Sequence, residues 1–166
     1  TNLVKGAPLA VTKKHIANGV AQAIICNSGN ANTCNANGAE IAETTCALLA
    51  DKLGIAADDI VVASTGVIGK QLPIDKIKAG TKVLAGKLAD SIEAGTDAAK
   101  AIMTTDTKKK EIAVSMVLGG KEVTLGGMCK GSGMIHPNMC TMLGFITTDA
   151  NISKELLDKA LKEDVQ

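Results

Sequence analysis

The sequence has almost no aromatic residues: Phe145 is the single phenylalanine, and tryptophan and tyrosine are absent from its 166 residues. Stacking of bases or sugars on aromatic side chains is therefore excluded as a binding mode. Positive and negative charges nearly cancel, with 18 Lys and Arg against 17 Asp and Glu. This balance excludes the broad basic field by which proteins hold nucleic acid, so we expect no nucleic-acid partner.

Long apolar runs and metal-binding spacings are also lacking. No run approaches the roughly 18 apolar residues of a membrane span, and the first residues do not form a basic-then-apolar secretory signal. The five cysteines stand at positions 26, 34, 46, 129 and 140, without any C-x-x-C pair, and His15 and His136 are the only histidines. We expect a cytoplasmic protein with free thiols, no membrane contact and no bound metal.

The apolar content of 46% is enough for one globular domain or a large part of one. Periodicity predicts strands at 21–26, 60–63 and 141–148, and a β-hairpin of 111–118 and 121–125 around Gly119 and Gly120. Helices are predicted over 39–53, from Pro73 through Leu88, over 96–103, and after Ser153. This order indicates an α/β (α+β) fold in which mixed β-sheet layers are sandwiched by helices.

Three glycine- and hydroxyl-rich segments adjoin predicted strands or helices: Ser64–Gly69 (STGVIG), Met103–Thr107 (MTTDT) and Gly126–Thr148. Glycine lets a backbone approach a ligand and direct N–H groups at developing negative charge. Taken alone, STGVIG is more simply explained as a strand-to-helix turn and MTTDT as a helix end and loop that satisfies its own backbone. The third segment lacks the G-K-[ST] order of a phosphate-binding loop, but its Lys130 is placed where an ammonium can meet a carboxylate.

Two residues of the third segment have catalytic potential. His136 precedes a proline in a turn and is either a base or a solvated loop histidine. Thr141 is a weak nucleophile unless a base stands beside its hydroxyl. Cleavage of the Cys140–Thr141 bond would supply that base as the new α-amine of Thr141 itself. A structural threonine at the start of a strand is the alternative.

The segment Lys130–Ala150 (KGSGMIHPNMCTMLGFITTDA) closely resembles the self-cleavage and nucleophile segment of the ornithine acetyltransferase family, the bifunctional glutamate N-acetyltransferases of arginine biosynthesis. The resemblance extends through NSGNAN at 27–32, ASTGVIG at 63–69 and AIMTTDT at 101–107, in the family's order and at comparable spacing. It covers almost the whole chain. Four long motifs in order form a far more specific pattern than any one of the loops.

The resemblance implies a role for each matching residue. Thr141 would be the nucleophile, exposed by cleavage after Cys140, where the family usually has alanine. Thr65 and Gly66 would form the oxyanion hole. Thr104 and Lys130 would contact the amino-acid substrate together with Thr141.

The implied reaction moves an acetyl group from N-acetylornithine to glutamate through a threonine acyl-enzyme, without metal or organic cofactor; some members also use acetyl-CoA as donor. Family members are about twice as long, so the resemblance makes 1–166 a partial catalytic domain. Residues 1–140 would end the α-chain portion and 141–166 would begin the β-chain portion, whose remainder would complete an αβ heterotetramer. Two alternatives are an amidohydrolase or aminopeptidase on a similar scaffold, and a non-catalytic piece of a split or truncated enzyme.

Overall fold

The computed structural model of the chain describes residues 3–131 and 142–164. The helices are α1 (Ala7–His15), α2 (Gly38–Leu53), α3 (Ile74–Ala85), α4 (Ile92–Ala101) and α5 (Lys154–Asp164). The strands are β1 (Ala23–Asn30), β2 (Ile60–Val67), β3 (Lys110–Leu118), β4 (Lys121–Cys129) and β5 (Gly144–Thr148). The predicted mixed α/β class is confirmed.

Strands β1 and β2 form a parallel pair against which α1 and α2 pack. Apolar residues from these elements form the principal core, namely Val11, Ala42, Cys46, Leu49, Ala50, Ile60 and Val62. Both strands continue beyond their predicted ends, through residues 27–30 and 64–67. The prediction of loops there was wrong, because the polar and glycine residues of the two motifs pair with each other across the sheet.

Helix α2 confirms the prediction from the apolar pattern. Ile41 and Leu49 are buried on one face, and Gly54 ends the helix at φ 67°, a left-handed conformation that glycine adopts without strain. Helix α1 was not predicted, since its buried residues include His15 and Pro8, which do not form an apolar stripe. Helix α3 ends at Ala85, so the prediction that it reaches Leu88 was wrong.

Strands β3, β4 and β5 form a second, antiparallel sheet with β4 in the centre. Gly119 (φ 57°) and Gly120 (φ 79°) form the predicted two-residue hairpin turn. Strand β4 runs through Gly126 and Gly127 to Cys129, whereas the sequence predicted a glycine-rich loop there. Cys129 at the end of β4 pairs with Gly144 at the start of β5. Lys130, which follows β4, and Leu143, which precedes β5, therefore lie at the same end of this sheet.

The second sheet is thinly covered within the described part of the chain. On β3, Ile112 and Val117 are each 71% exposed. Ser153 caps the last helix, as predicted, by accepting a hydrogen bond from the backbone N–H of Leu156 at 3.3 Å. Among residues 3–131 and 142–164, no helix combines the length and apolar character that crossing a bilayer requires.

Candidate active site

Two of the sequence motifs lie side by side on the parallel strands. In the β1–β2 register, Ser28 is opposite Thr65 and Gly29 is opposite Gly66. The Ser64 hydroxyl donates a hydrogen bond to the Asn27 side-chain carbonyl at 2.7 Å, one register position earlier. Thr65, a predicted oxyanion-hole residue, is buried. The sheet therefore brings NSGNAN and STGVIG together by backbone pairing.

Gly66 is required by the close approach of these strands. Its φ of 132° is one that L-residues rarely adopt, and a Cβ there would stand 2.2 Å from the backbone carbonyl carbon of Gly29. Gly29 is itself at φ 107°. The absence of a side chain at Gly66 lets the two backbones come together at the end of the sheet, whereas at Gly29 it is the positive φ that favours glycine, since a Cβ there would meet nothing within 4 Å.

The asparagines of NSGNAN stabilise the loop that follows β1. Asn27 donates its side-chain amide to the Asn30 carbonyl at 2.8 Å, and the Asn30 side chain accepts the backbone N–H of Asn32 at 2.8 Å. Asn30 also donates to the Lys70 carbonyl, just after STGVIG, at 2.9 Å. This part of the motif therefore holds the ends of β1 and β2 in place.

Ser28 connects this pair of motifs to the third. Its hydroxyl donates to the backbone carbonyl of Ile102, the buried residue that ends α4. The MTTDT segment begins at the next residue, Met103. The oxyanion-hole candidates Thr65 and Gly66 are thus linked to MTTDT through the residue that pairs with Thr65.

Lys130 and Thr104, the two predicted substrate contacts, meet directly. The Lys130 Nζ donates to Thr104 Oγ1 at 3.0 Å. Lys130 is only 5% exposed, and its backbone N–H donates to the Leu143 carbonyl at 3.0 Å. Within the part of the chain that the structure describes, no carboxylate lies at ion-pair distance from its ammonium. A buried ammonium ordinarily requires a counter-charge.

Asp106 is a residue of this site that the sequence analysis did not single out. Its side chain has no exposed surface, and it accepts hydrogen bonds from Lys110 Nζ at 2.5 Å, from the Gly131 N–H at 2.8 Å and from the Thr104 N–H at 3.2 Å. The hydrogen bond from Lys110, followed by that from Gly131, holds the pKa of this carboxyl well below its usual range. The sequence feature that could have indicated Asp106 is that it is the only acidic residue in MTTDT.

Lys110, the ion-pair partner of Asp106, lines a cleft of about 670 Å³. Its lining is mostly apolar and includes Ala63, Cys129, Met142, Leu143 and Phe145, with Lys110 at its polar side. Because Ala63 precedes STGVIG and Cys129 precedes Lys130, the cleft adjoins two of the motifs. Such a space, apolar with a few charged groups beside it, is typical of small-molecule sites.

The predicted nucleophile Thr141, its neighbour Cys140 and the candidate base His136 all lie outside the described residues. Met142, which follows Thr141 in the sequence, is described. A Cβ built on Gly131 would stand 3.7 Å from Met142 Cγ, so Met142 lies against the residue next to Lys130. These three predictions remain predictions.

One group of three metal-ligand types occurs among residues 3–131 and 142–164: His15, Glu43 and Asp58. His15 Nδ1 donates to the Ile60 carbonyl at 2.8 Å, while Nε2 lies 3.0 Å from Glu43 and 3.4 Å from Asp58. Lys14 also pairs with Glu43, at 3.0 Å, and lowers the pKa of that carboxyl. These contacts account for the group as an ion-pair cluster.

This cluster lies apart from the candidate active site. Ile60 begins β2, whereas Thr65 and Gly66 lie near its other end, about 17 Å away at 3.3 Å per residue. The cluster therefore joins α1 and α2 to the start of β2.

Residues 1–166 match the family model described as ArgJ family. Among curated relatives, the arginine biosynthesis bifunctional protein ArgJ of Symbiobacterium thermophilum is 51% identical over 164 residues, covering 98% of this chain and 40% of the relative. The protein of that name from Caldanaerobacter subterraneus subsp. tengcongensis is 49% identical, covering 99% of this chain and 41% of the relative. The chain thus spans about two fifths of their length.

Two solved structures share the fold. The arginine biosynthesis bifunctional protein ArgJ of Bacillus halodurans matches with a TM-score of 0.74 and 43% identity, covering 86% of this chain and 73% of the solved chain. The ornithine acetyltransferase of Mycobacterium tuberculosis, solved in complex with ornithine, matches with a TM-score of 0.68 and 30% identity, covering 88% of this chain and 74% of the solved chain.

Proposed function

The chain belongs to the ArgJ family, and from this we propose that it supplies the nucleophile-bearing part of an enzyme that moves an acetyl group from N-acetylornithine to glutamate. The names of the curated relatives place them in arginine biosynthesis. The similar M. tuberculosis structure contains ornithine, the amine that such a transfer releases. Acetyl-CoA as a further acetyl donor is compatible with the same acyl-enzyme chemistry.

The observation that carries the proposal is the buried ammonium of Lys130. It donates to Thr104 Oγ1 at 3.0 Å, and no carboxylate of the described residues neutralises it. A lysine ammonium has three N–H donors, and one of them is used by the described residues, so the other two can serve a ligand. The carboxylate of an amino-acid substrate provides the missing negative charge through charge-assisted hydrogen bonds. Thr104 and Lys130 are therefore the proposed substrate contacts.

Thr65 and Gly66 are the proposed oxyanion hole. A backbone N–H and a threonine hydroxyl are the kinds of donor that stabilise an oxyanion, and Gly66 and Thr65 supply one of each. Loss of one such donor typically lowers the rate by about 10² to 10³. The link from Thr65 through Ser28 to MTTDT supports a shared site with the substrate contacts.

Thr141 is the proposed nucleophile. Its hydroxyl attacks the carbonyl carbon of Cys140, the C–N bond breaks to give an ester and a free α-amine, and water then opens the ester. The released amine accepts the hydroxyl proton when Thr141 attacks the acetyl carbonyl of N-acetylornithine, and ornithine leaves. The glutamate amine then attacks the acyl-enzyme and departs as N-acetylglutamate. Met142 beside Gly131 supports the placement of this segment near Lys130.

The proposed chemistry needs no metal or organic cofactor, because nucleophile, base and oxyanion donors all belong to the protein. In this proposal residues 1–140 end the α-chain portion and 141–166 begin the β-chain portion of a partial catalytic domain, with an αβ heterotetramer as the assembly. The exposed apolar residues of β3 support a partner portion that covers this sheet. A cytoplasmic location agrees with the free thiols of the four described cysteines.

The test is to incubate the purified protein, at its natural length, with N-acetylornithine in the presence and absence of glutamate. Transfer predicts N-acetylglutamate and ornithine in equal amounts, with turnover dependent on glutamate. Steady release of acetate without glutamate would instead identify an amidohydrolase or aminopeptidase. Absence of any turnover would identify a non-catalytic piece. Lys130→Ala should raise the KM for both substrates without preventing cleavage.

A further inference from the structure

Asp106 connects the two segments that carry the proposed substrate contacts. One carboxylate oxygen accepts the Gly131 N–H at 2.8 Å, and the other accepts the Thr104 N–H at 3.2 Å. Gly131 follows Lys130 directly, while Thr104 is the residue to which the Lys130 ammonium donates. A single carboxylate therefore holds the backbone on both sides of the Lys130–Thr104 contact.

Ion pairing with Lys110 does not by itself explain this arrangement. Asp158 and Lys162 on α5 form a pair with the same i,i+4 spacing and the same 2.5 Å distance. The Asp158 side chain is 58% exposed, whereas that of Asp106 has no exposed surface. Asp106 differs by its bonds to two backbone N–H groups, that of Thr104 two residues before it and that of Gly131, 25 residues away. This makes Asp158 a matched control for the charge pair.

We propose that Asp106 is a positioning residue, which sets the Lys130 ammonium against Thr104 so that both can receive the substrate carboxylate. The positions of Lys130 and Thr104 follow from the described hydrogen bonds, while the effect of Asp106 on substrate binding rests on the proposed function. Asp106 acts through Lys130 and Thr104 and does not itself contact the substrate. Its carboxylate has no free face for a ligand, since three protein donors and the surrounding chain cover it.

The substitution Asp106→Asn removes the charge of the side chain while keeping its size, so it tests the effect of the charge and of the second acceptor oxygen alone. Asparagine has nearly the same shape but only one acceptor oxygen. Its amide NH₂ group is a donor, and it would stand opposite a protein donor in place of the second carboxylate oxygen. It cannot satisfy Gly131, Thr104 and Lys110 together. The substitution should therefore release one or both backbone segments while leaving the rest of the fold in place.

The geometric part of the test is amide hydrogen exchange in the purified protein. Asp106→Asn should accelerate exchange of the Gly131 amide, the Thr104 amide or both by about tenfold or more, because Asp106 is their hydrogen-bond acceptor and asparagine keeps only one acceptor oxygen. The Lys130 amide donates to the Leu143 carbonyl and should keep its protection, as an internal control. Asp158→Asn should change none of the three. Unchanged protection of Gly131 and Thr104 in Asp106→Asn would overturn the proposal.

The functional part is a double-mutant cycle with Lys130→Ala, read as KM and kcat separately. Asp106→Asn should raise the KM for the amino-acid substrates roughly tenfold, with a smaller change in kcat. In the Lys130→Ala background the same substitution should have almost no further effect, because the group that it positions is gone. Additive effects on KM would show that Asp106 does not act through Lys130 and would overturn the positioning role.

The two parts separate this proposal from the proposed function. Hydrogen exchange requires no activity and decides whether Asp106 holds Gly131 and Thr104. If wild-type protein failed to transfer acetyl groups, the proposed function would fail. The cycle would then be read from the Kd of ornithine binding by calorimetry. Coupled losses of ornithine affinity would support positioning, and additive losses or absence of ornithine binding would overturn it.

Discussion

Gly66 and Gly29 meet backbone to backbone, so closely that a Cβ on Gly66 would stand 2.2 Å from the Gly29 carbonyl carbon. The contact joins the NSGNAN and STGVIG motifs at the end of the parallel strand pair. It explains in physical terms why STGVIG has glycine at position 66, while the φ of 107° favours glycine at position 29. It also makes Gly66 the position where a single added methyl group is most informative.

Gly66→Ala should destabilise the fold by at least about 3 kcal/mol, because strain at φ 132° adds to the clash with backbone atoms. Urea denaturation measures the change in unfolding free energy. Gly95→Ala is the control, since Gly95 lies within α4 with nothing within 4 Å of an added Cβ. It should be neutral or stabilising by about 0.5–1 kcal/mol. Wild-type stability of Gly66→Ala would contradict the close approach.

The depressed pKa of Asp106 predicts an acid-sensitive contribution to stability. An unfolded aspartate titrates near pH 3.9, so folding favours the ionised form. The contribution is fully present above that pH and is lost as the pH falls toward the lower pKa of the folded state. The difference in unfolding free energy between wild type and Asp106→Asn should therefore stay nearly constant down to about pH 4 and narrow progressively as the pH falls below that value. A difference that stays constant below pH 4 as well would contradict the assignment.

The cysteines should differ in reactivity in the order of their burial. Burial raises the pKa of the Cys46 thiol to about 11, and Cys46 has no exposed surface. Cys34 is exposed. Iodoacetamide labelling followed by mass spectrometry should modify Cys34 first and Cys46 only after unfolding. Early labelling of Cys46 in folded protein would contradict the packing of α2 on the sheet.

His15 and Lys14 provide a buried and an exposed partner for the same carboxylate, Glu43. His15→Leu should cost about 1–3 kcal/mol, because it removes the buried hydrogen bond to the Ile60 carbonyl and a partner of Glu43. Lys14→Ala should barely change stability, since its side chain is 66% exposed. Thermal denaturation of both variants measures the contrast. Equal effects would contradict the burial of His15.

The elements that could be predicted from sequence are those with a local cause. The apolar face of α2 and the glycine at its end are adjacent in sequence, and so are the two glycines of the β3–β4 turn. The strands through residues 27–30 and 64–67 could not be predicted locally. Their polar residues are accommodated only because each motif pairs with the other, about 37 residues away.

In the candidate site, too, the residues that depend on contacts between distant parts of the chain were the ones not predicted from sequence. Thr104 and Lys130 were named from the resemblance, and the structure shows them in contact. Asp106 was not named, because its importance depends on accepting the N–H of Gly131, 25 residues away. Helix α1 escaped prediction because the residue that anchors it, His15, is polar and is buried by contacts from α2 and β2.

Thr141 is proposed to become an N-terminal nucleophile, and N-terminal sequencing of mature, active protein shows whether it does. We expect a new terminus that begins Thr-Met-Leu-Gly, with matching masses for the two products. Thr141→Ala should yield a single uncleaved chain without transferase activity. Active wild-type protein that lacks this terminus, or cleavage after Cys140 in Thr141→Ala, would contradict this proposal.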